Sequence, residues 1–388
     1  MLDFQYKNGT KIIFGKGKEN EVGVHVKEHT NKVLLHHPGG ILEELGVIDR
    51  VKKSLDASGV AYVELSGVVP NPRLSLVYKG IEICKKEDID FVLAVGGGSV
   101  IDSAKAIGMG VVYDGDVWDF FSGKAEPKSA LKVATVLTIP GSGSEMSESS
   151  IISNEELELK SGVDSSVIVP VFSILNPEMC QTLPKSLLAA GVADIMSHLL
   201  ERYFTPTKGL YLSDYLIEGG MKSIIEVGQK LVENPGDYNL CSEFMWTATV
   251  AHNGMIDAGR ASDWASHRIE HEISAFYDVT HGAGMAIIFP AWMKYVMSHD
   301  VDRFHRMATH VFGLSPEGKD KEALALEGIS AMEDFFRSLG LKITLTEAGI
   351  PCDRFEEMAS KAVGGNGHVG RFKEITKEDI VKILELAK

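Results

Sequence analysis

Five residues between positions 194 and 281 have the types and the spacing of a metal site. They are Asp194, His198, His267, His271 and His281. The first two are four residues apart, as are the third and the fourth, so on a helix each pair lies on one face. One carboxylate with several imidazoles suits Fe²⁺, Zn²⁺ or another divalent first-row ion. The pattern predicts a metal site, although either pair alone is more often a solvated or packed feature of an amphipathic helix.

The elements that carry these residues are predicted to be helices. From about Thr182 onward long helical patterns dominate, over 185–204, 210–233, 242–259, 263–277, 281–297, 322–339 and 376–386. Every candidate metal ligand lies in this half of the sequence. We therefore predict an all-α, metal-binding C-terminal domain over residues 182–388.

Residues 1–181 have a different pattern, in which short apolar strands alternate with helices. This alternation is typical of an α/β domain with a parallel, Rossmann-like sheet. Strands are predicted at 32–37, 61–65, 90–95 and 134–139, with helices at 41–58, 74–86 and 100–109. The first six residues are interpreted as the start of a further strand, and 155–160 as a hairpin turn or loop.

Two turns after predicted strands carry glycines and hydroxyl groups. Gly96-Gly97-Gly98-Ser99 follows the apolar strand at 90–95, and Pro140-Gly141-Ser142-Gly143-Ser144 follows the strand at 134–139. Glycine N–H groups before a helix N-terminus can bind a phosphate, and open α/β sheets bind ligands at the carboxyl ends of their strands. The first turn is not the G-x-G-x-x-G fingerprint, and a tight turn that binds nothing is the alternative. Two such turns on one sheet favour a nucleotide.

Composition narrows the class of protein. A chain of 388 residues is too long for one core, so two domains are expected. The net charge of -15 argues against nucleic acid or an anionic membrane surface as a partner. There is no basic, apolar leader and no apolar run long enough to span a bilayer. The four scattered cysteines indicate a reducing compartment, and we expect a cytoplasmic protein.

The sequence resembles the iron-containing (group III) alcohol dehydrogenase family over essentially its whole length. One family signature is matched by Leu183-Pro184, Ala189, Gly191, Asp194-Ile195-Met196 and Glu201, and a second by the segment from Trp264 to Gly284. The sequence departs from the family at Asn176, where Asp is usual. This position lies outside the set of metal ligands. The resemblance implies a dehydroquinate synthase-like architecture, an α/β domain followed by a helical one. Within the family, the sequence is similar in particular to the NADP(H)-dependent butanol dehydrogenase and aldehyde reductase branch.

The resemblance also implies roles for individual residues. The metal ligands would be Asp194, His198, His267 and His281. His271 would lie near the metal without binding it, as the candidate proton relay. The implied cofactor contacts are Gly39, Gly40, Asn71, Gly97, Gly98, Ser99, Thr138, Ser142 and Lys160. For Lys160, a solvated loop lysine is nearly as good an interpretation.

The implied reaction is hydride transfer between NADP(H) and a butanol-like primary alcohol or its aldehyde, with Fe²⁺ or Zn²⁺ as a Lewis acid. NAD-preferring relatives carry an Asp in the first βα turn, where this sequence has Gly39, so NADP(H) is expected, with NAD(H) as the alternative. A homodimer is expected. The competing interpretations are a glycerol dehydrogenase-like polyol oxidoreductase, a dehydroquinate synthase-like lyase and a non-enzymatic scaffold.

Overall fold

The computed structural model describes all 388 residues, and the chain divides into two compact units. The α/β unit comprises Lys7–Leu183, and the helical unit comprises Pro184–Lys388 together with Met1–Tyr6. The boundary predicted between residues 181 and 182 lies two residues before this division. The first six residues, assigned to the N-terminal domain from the sequence, group with the helical unit instead.

The α/β unit contains eight strands and six helices. The strands are β1 (Lys11–Phe14), β2 (Lys32–His36), β3 (Ala61–Leu65), β4 (Phe91–Gly96), β5 (Lys132–Leu137), β6 (Ser149–Asn154), β7 (Leu159–Asp164) and β8 (Phe172–Leu175). The helices are α1 (Val22–Lys27), α2 (Ile41–Glu44), α3 (Val47–Ala57), α4 (Leu74–Lys86), α5 (Gly98–Val111) and α6 (Trp118–Phe121). Six strands form one sheet in the order β1-β8-β5-β4-β2-β3, and β6 pairs with β7 in a separate antiparallel hairpin.

Every pairing in the six-stranded sheet is parallel, as the alternating sequence pattern predicted. The central strand β4 reads Phe-Val-Leu-Ala-Val-Gly and is buried at all six positions, because the connections of a parallel sheet cover both of its faces. Since all six strands point the same way, their carboxyl ends lie along one edge. The turns after β2, β3, β4 and β5 therefore open at the same edge of the sheet.

The helical unit is formed by nine helices. They are α7 (Lys185–Tyr203), α8 (Tyr211–Glu233), α9 (Tyr238–Ala251), α10 (Ala265–Tyr277), α11 (His281–Val296), α12 (Val301–His310), α13 (Lys321–Ser338), α14 (Phe355–Val363) and α15 (Lys377–Leu386). α7 is buried without interruption from Leu188 to Tyr203, and α11 is buried over most of its length. These two helices form the core of the unit, so polar side chains on them are held away from solvent.

Three details differ from the sequence-based expectations. The helix predicted over 41–58 is two helices, α2 and α3, because Gly46 between them adopts φ +67°. Met1–Tyr6 is not a strand, and the first strand begins at Lys11. The helical unit also contains a two-stranded antiparallel ribbon, β9 (His368–Val369) with β10 (Ile375–Thr376), where only helices were expected. None of the helices combines the length and the apolar character that crossing a membrane would need.

Candidate functional site

Three of the predicted metal ligands have donor atoms close to one point in the helical unit. Asp194 on α7, His267 on α10 and His281 at the start of α11 offer donor atoms that all lie within 4.8 Å of one another. His281 Nε2 is 3.7 Å from Asp194 Oδ1. Two atoms bound to one ion at about 2.1 Å, at a tetrahedral angle, are separated by roughly 3.4 Å. The spacing is therefore close to that of a bound divalent ion.

His198, the fourth predicted ligand, borders this group. Its Nδ1 is 3.6 Å from Asp194 Oδ1, and its ring centroid is 5.0 Å from that of His267. On its other side the ring of His252 packs at 4.4 Å, a neighbour that the sequence did not suggest. Burial holds the pKa of His198 well below its usual value, and the neighbouring histidines lower it further. The imidazole is therefore neutral, which is the form that binds a metal.

A buried carboxylate fixes the orientation of each of two candidate ligands. Glu201 accepts a hydrogen bond from Nδ1 of His267 at 2.7 Å, and Glu270 accepts one from Nδ1 of His281. Both carboxylates are fully buried, and burial raises the pKa of Glu201 to about 8, opposed by backbone N–H donors. A cation bound by His267 would lower this pKa further and keep the group ionised. With Nδ1 protonated, each ring presents the lone pair of Nε2 on its other side. Carboxylate–histidine pairs of this kind are the usual outer shell of a metal site.

Glycines explain how the helices approach so closely at this point. A Cβ at Gly282 would overlap the backbone carbonyl of Ala190 on α7, and a Cβ at Gly284 would overlap the carboxylate of Glu270. The run Gly282-Ala283-Gly284 thus lets the first turn of α11, which carries His281, pack directly against its neighbours. Small residues are required here by packing.

Trp264 enters α10 with a backbone conformation that bulky residues rarely adopt, φ +69°. The backbone N–H of Trp264 donates a hydrogen bond to Glu201 Oε2, and the guanidinium of Arg202 lies 4.7 Å from the centroid of the Trp264 ring. The ring centroid is also 5.0 Å from that of His267. These contacts hold a strained turn immediately before the helix that carries His267, which is how strain is often placed at functional sites.

His271 lies one turn beyond His267 on α10 and is buried. Its ring centroid is 5.7 Å from that of His281 and 6.5 Å from that of His267. One nitrogen of His271 also falls within 4.8 Å of donor atoms of Glu270 and His281. All five predicted residues therefore lie in one cluster, buried except for the partly exposed His281, and its donor set of imidazoles and a carboxylate fits a divalent ion.

The second candidate region is the glycine turn between β4 and α5 in the α/β unit. A Cβ at Gly98 would overlap the hydroxyl of Ser142, and one at Gly97 would stand 3.0 Å from Ile139 Cβ. The turns after β4 and β5 are thus in direct contact, and the absence of side chains at Gly97 and Gly98 is what permits it. Ser99 lies in the first turn of α5, whose fourteen residues align their N–H groups toward this edge.

The remaining predicted cofactor contacts lie at the carboxyl ends of the strands or in the β6–β7 hairpin. Thr138 directly follows β5 and is buried, and no hydrogen-bond partner is recorded for its hydroxyl, which suits a bound ligand. Asn71 follows β3 with φ +54°, and Lys160 is buried on β7. The backbone N–H of Ser153 on β6 donates a hydrogen bond to the carbonyl oxygen of Pro72 at 2.8 Å, so the hairpin is attached to the loop that contains Asn71.

Gly39 and Gly40, the last two predicted contacts, form the turn after β2 at this same edge, with φ +78° and +55°. They follow the strand that pairs with β4 on one side and β3 on the other. All nine predicted cofactor residues therefore belong to the α/β unit.

A buried lysine that the sequence did not single out fastens the loop after β5. Lys105 on α5 is fully buried, and its Nζ donates to Ser144 Oγ at 3.0 Å, Ser147 O at 2.9 Å and Ser149 O at 2.8 Å. Asp102, one turn earlier, accepts from Ser144 Oγ and Ile151 N. Burial lowers the pKa of Lys105 to about 8 and raises that of Asp102. The network ties the helix of the glycine turn to the loop that contains Ser142.

Comparison with known proteins agrees with this arrangement. Residues 9–177 match the family described as iron-containing alcohol dehydrogenase, and residues 188–388 match the Fe-containing alcohol dehydrogenase family, C-terminal. The chain is 42% identical to a probable NADH-dependent butanol dehydrogenase 1 of Bacillus subtilis, over 99% of both chains. It is 31% identical to an NADPH-dependent aldehyde reductase of Escherichia coli, over 100% of both.

A solved structure, NADH-dependent butanol dehydrogenase A from Thermotoga maritima, superposes with a TM-score of 0.96 at 41% identity. The superposition covers 100% of this chain and 99% of that one. The predicted two-domain fold is confirmed by this likeness. With both halves matched and relatives aligned from end to end, the chain belongs to the iron-containing alcohol dehydrogenase family.

Proposed function

We propose that this enzyme interconverts a primary alcohol of about the size of butanol and its aldehyde, with a nicotinamide cofactor and one bound divalent metal ion. The observation that carries the proposal is the pair of contacts from Glu201 to His267 and from Glu270 to His281. In each contact the histidine donates through Nδ1, so the lone pair of its Nε2 is directed toward the carboxylate of Asp194. The names of the similar butanol dehydrogenases and the aldehyde reductase point to the same substrate class.

In this proposal Asp194, His198, His267 and His281 hold the metal. The bound ion would act as a Lewis acid that polarises the oxygen of the alcohol or aldehyde. Three neutral imidazoles and one carboxylate leave a divalent ion with a net charge near +1. The family description favours iron, while zinc satisfies the same donor set.

His271 is proposed to carry a proton between the substrate oxygen and solvent. Imidazole is a common proton-transfer group, and that of His271 is close to two candidate ligands without belonging to the group around Asp194. In alcohol oxidation the imidazole accepts the hydroxyl proton, and in aldehyde reduction it returns one. A bound nicotinamide would accept the hydride with its electron pair in oxidation and supply it in reduction.

The proposed cofactor surface is the edge of the sheet in the α/β unit. The N–H groups of Gly98 and Ser99 at the start of α5 would bind the pyrophosphate, because a helix N-terminus favours an anion there. Thr138 and Ser142 offer hydroxyl groups from the neighbouring turn, and Asn71 and Lys160 would contact the cofactor from the β3 loop and the hairpin. Gly39 and Gly40 would contact the adenosine ribose.

The preference between the two nicotinamide cofactors rests on finer observations. The sequence predicted NADP(H) because Gly39 leaves the turn without a carboxylate. Of the two named relatives above, the more similar carries NADH in its name and the less similar NADPH. We propose that NAD(H) is preferred, because of the side chains that surround this turn.

The competing interpretations receive no support from the comparisons. The relatives named above are alcohol dehydrogenases or aldehyde reductases, and none is a lyase or a polyol oxidoreductase by name. A non-enzymatic scaffold would not need two buried imidazoles, His198 and His267, beside the buried carboxylate of Asp194, because polar groups are costly to bury without a role. The oxidoreductase interpretation is therefore retained.

The proposed metal site is tested by removing one ligand. His267→Ala should reduce bound metal, measured by mass spectrometry after reconstitution with Fe²⁺ or Zn²⁺, to a small fraction of one ion per chain. Butanal-dependent NADH oxidation should fall by at least a thousandfold, since both ion and polarisation are lost. His368→Ala, which removes an exposed imidazole, is the matched control and should change neither value. Retention of metal and turnover by His267→Ala would show that the ligand assignment is wrong.

A homodimer and a cytoplasmic location remain predictions. The strand β1 lies at an edge of the sheet, where a second copy could pair with it. Light scattering on the purified protein and cell fractionation are the direct measurements.

A further inference from the structure

The turn after β2 has an unusual arrangement around Gly39. The N–H of Gly39 donates to His37 Nδ1 at 3.1 Å, so it is already engaged within the turn. Nε2 of His37 consequently carries the proton and faces Glu64, 3.4 Å from Oε2. Burial lowers the pKa of His37, which keeps the ring neutral. The turn therefore offers a phosphate neither this backbone donor nor a positive charge from His37.

A carboxylate occupies the space beside Gly39 from elsewhere in the chain. Glu43, in the next helix α2, places its Oε1 3.7 Å from the position that a Cβ on Gly39 would take. Its side chain is 53% exposed, so it can follow a ligand bound at the turn. Although the turn itself lacks an acidic residue, a carboxylate reaches the same place from four residues further along.

Lys52 on the following helix α3 does not offset this charge, because it is paired with another carboxylate. Lys52 Nζ is 2.7 Å from Glu64 Oε2, and this ion pair raises the pKa of Lys52. The lysine is thus committed to a second carboxylate at the end of β3. The charges beside Gly39 sum to a negative field, which attracts a ribose hydroxyl pair as hydrogen-bond donors and opposes an added phosphate.

The position of the adenosine ribose follows from the sheet order. β2 is the neighbour of β4, whose glycine turn precedes α5, on the side away from β5. In nucleotide-binding sheets of this kind, the pyrophosphate lies at the glycine turn and the ribose at the carboxyl end of the adjoining strand. That end is the turn of Gly39 and Gly40, and nothing stands within 4 Å of a Cβ at Gly40, so the turn has open space beside it.

We propose that Glu43 is the residue that determines cofactor specificity in this enzyme: its carboxylate accepts a hydrogen bond from the adenosine ribose and repels a 2′-phosphate, so that NAD(H) is preferred over NADP(H). The inference rests on the proposed nicotinamide cofactor and names the side chain that distinguishes its two forms. It reverses the expectation drawn from Gly39 alone, because the discriminating group lies outside the turn.

The test uses two ligands that differ only by the 2′-phosphate, AMP and 2′,5′-ADP (adenosine 2′,5′-bisphosphate), and requires neither metal nor turnover. Calorimetric titration of the wild-type protein should give at least tenfold tighter binding of AMP. Glu43→Gln should lower the ratio of the dissociation constant of 2′,5′-ADP to that of AMP by about tenfold. Glu43→Lys should lower this ratio further, so that 2′,5′-ADP binds at least as tightly as AMP. Glu44→Gln removes the same charge from the adjacent, exposed residue and should leave the ratio within twofold.

A steady-state comparison of NADPH and NADH with butanal, on metal-loaded enzyme, provides the second measurement. The ratio of kcat/KM for NADPH to that for NADH should rise by about tenfold in Glu43→Gln. Equal ratios in wild type and Glu43→Gln, or tighter binding of 2′,5′-ADP by the wild type, would overturn the inference and leave the cofactor site standing. If AMP does not bind and neither cofactor is oxidised, the proposed function fails and the inference fails with it.

Discussion

Substitution of Glu201 by Gln tests whether the buried carboxylates prepare the metal site. Glu201 accepts three N–H groups: His267 Nδ1 at 2.7 Å, the backbone N–H of His267 at 3.1 Å and that of Trp264. Glutamine has the same shape but only one acceptor oxygen, so its NH₂ group must face one of these donors. At least one buried N–H then loses its partner, and the charge that orients the imidazole is removed.

The magnitude follows from these contacts. A hydrogen bond to a charged group contributes about 1.5–3 kcal/mol, and losing such an outer-shell partner lowers metal affinity by about 10- to 100-fold, which is roughly 1.4–2.7 kcal/mol. The two ranges agree. We therefore expect Glu201→Gln to weaken metal binding by 10- to 100-fold, much less than removal of His267 itself.

Zn²⁺ affinity is measured by competition of the apo protein with a chromogenic chelator at constant pH. The matched control is Glu272→Gln, a buried carboxylate on the same helix as His267 for which no hydrogen-bond partner of Oε2 is recorded. It should retain wild-type affinity within twofold. If Glu201→Gln bound zinc as tightly as the wild type while remaining folded by circular dichroism, the carboxylate would have no orienting role.

Two further predictions concern stability. Gly282→Ala should lower the free energy of unfolding by roughly 2–3 kcal/mol and weaken metal binding, because its Cβ would overlap Ala190 O. Gly219→Ala, at an open helical position on α8, should raise the free energy of unfolding by up to about 1 kcal/mol. Urea denaturation measures both changes, and equal effects of the two substitutions would refute the steric argument. Burial lowers the pKa of His36 to about 4, so the native state stays neutral where the unfolded state, at about 6.5, binds a proton, and the α/β unit should lose about 3 kcal/mol as pH falls from 6.5 to 4. In His36→Gln this part of the pH dependence of the unfolding free energy should vanish. If the unfolding free energy fell equally with pH in the two proteins, the assignment to His36 would be wrong.

The sequence predicted those parts of the fold in which local pattern and tertiary environment agree. β3 and α4 have the predicted bounds, and β4 was found from its uninterrupted apolar run because that run is buried on both faces. The pattern failed where a single backbone angle decides the structure, as at Gly46, which divides the helix predicted over 41–58. Apolar character in Met1–Tyr6 suggested a strand, but a strand also needs a partner, which a local pattern does not reveal.

For the candidate site, spacing found the imidazoles and missed what orients them. Glu201 is 66 residues from His267, and nothing local indicates that the two meet. Its position seven residues after Asp194, on the same face of α7, and its place in the family signature were the signals available, and neither indicates that it meets His267. Gly39 illustrates the same difficulty from the other direction: the sequence showed that the turn lacks a carboxylate, and only the fold places Glu43 beside it.

The buried ammonium of Lys105 bears on how rapidly cofactor can be exchanged. Since its bonds to Ser144, Ser147 and Ser149 form when the α/β unit folds, the loop after β5 is ordered before any cofactor arrives. The conformational entropy of that loop, about 1–2 kcal/mol per residue, is therefore lost during folding and not during binding. An enzyme that must release one nicotinamide and admit another in every cycle gains from this arrangement, because neither step has to unfold or refold the proposed cofactor surface.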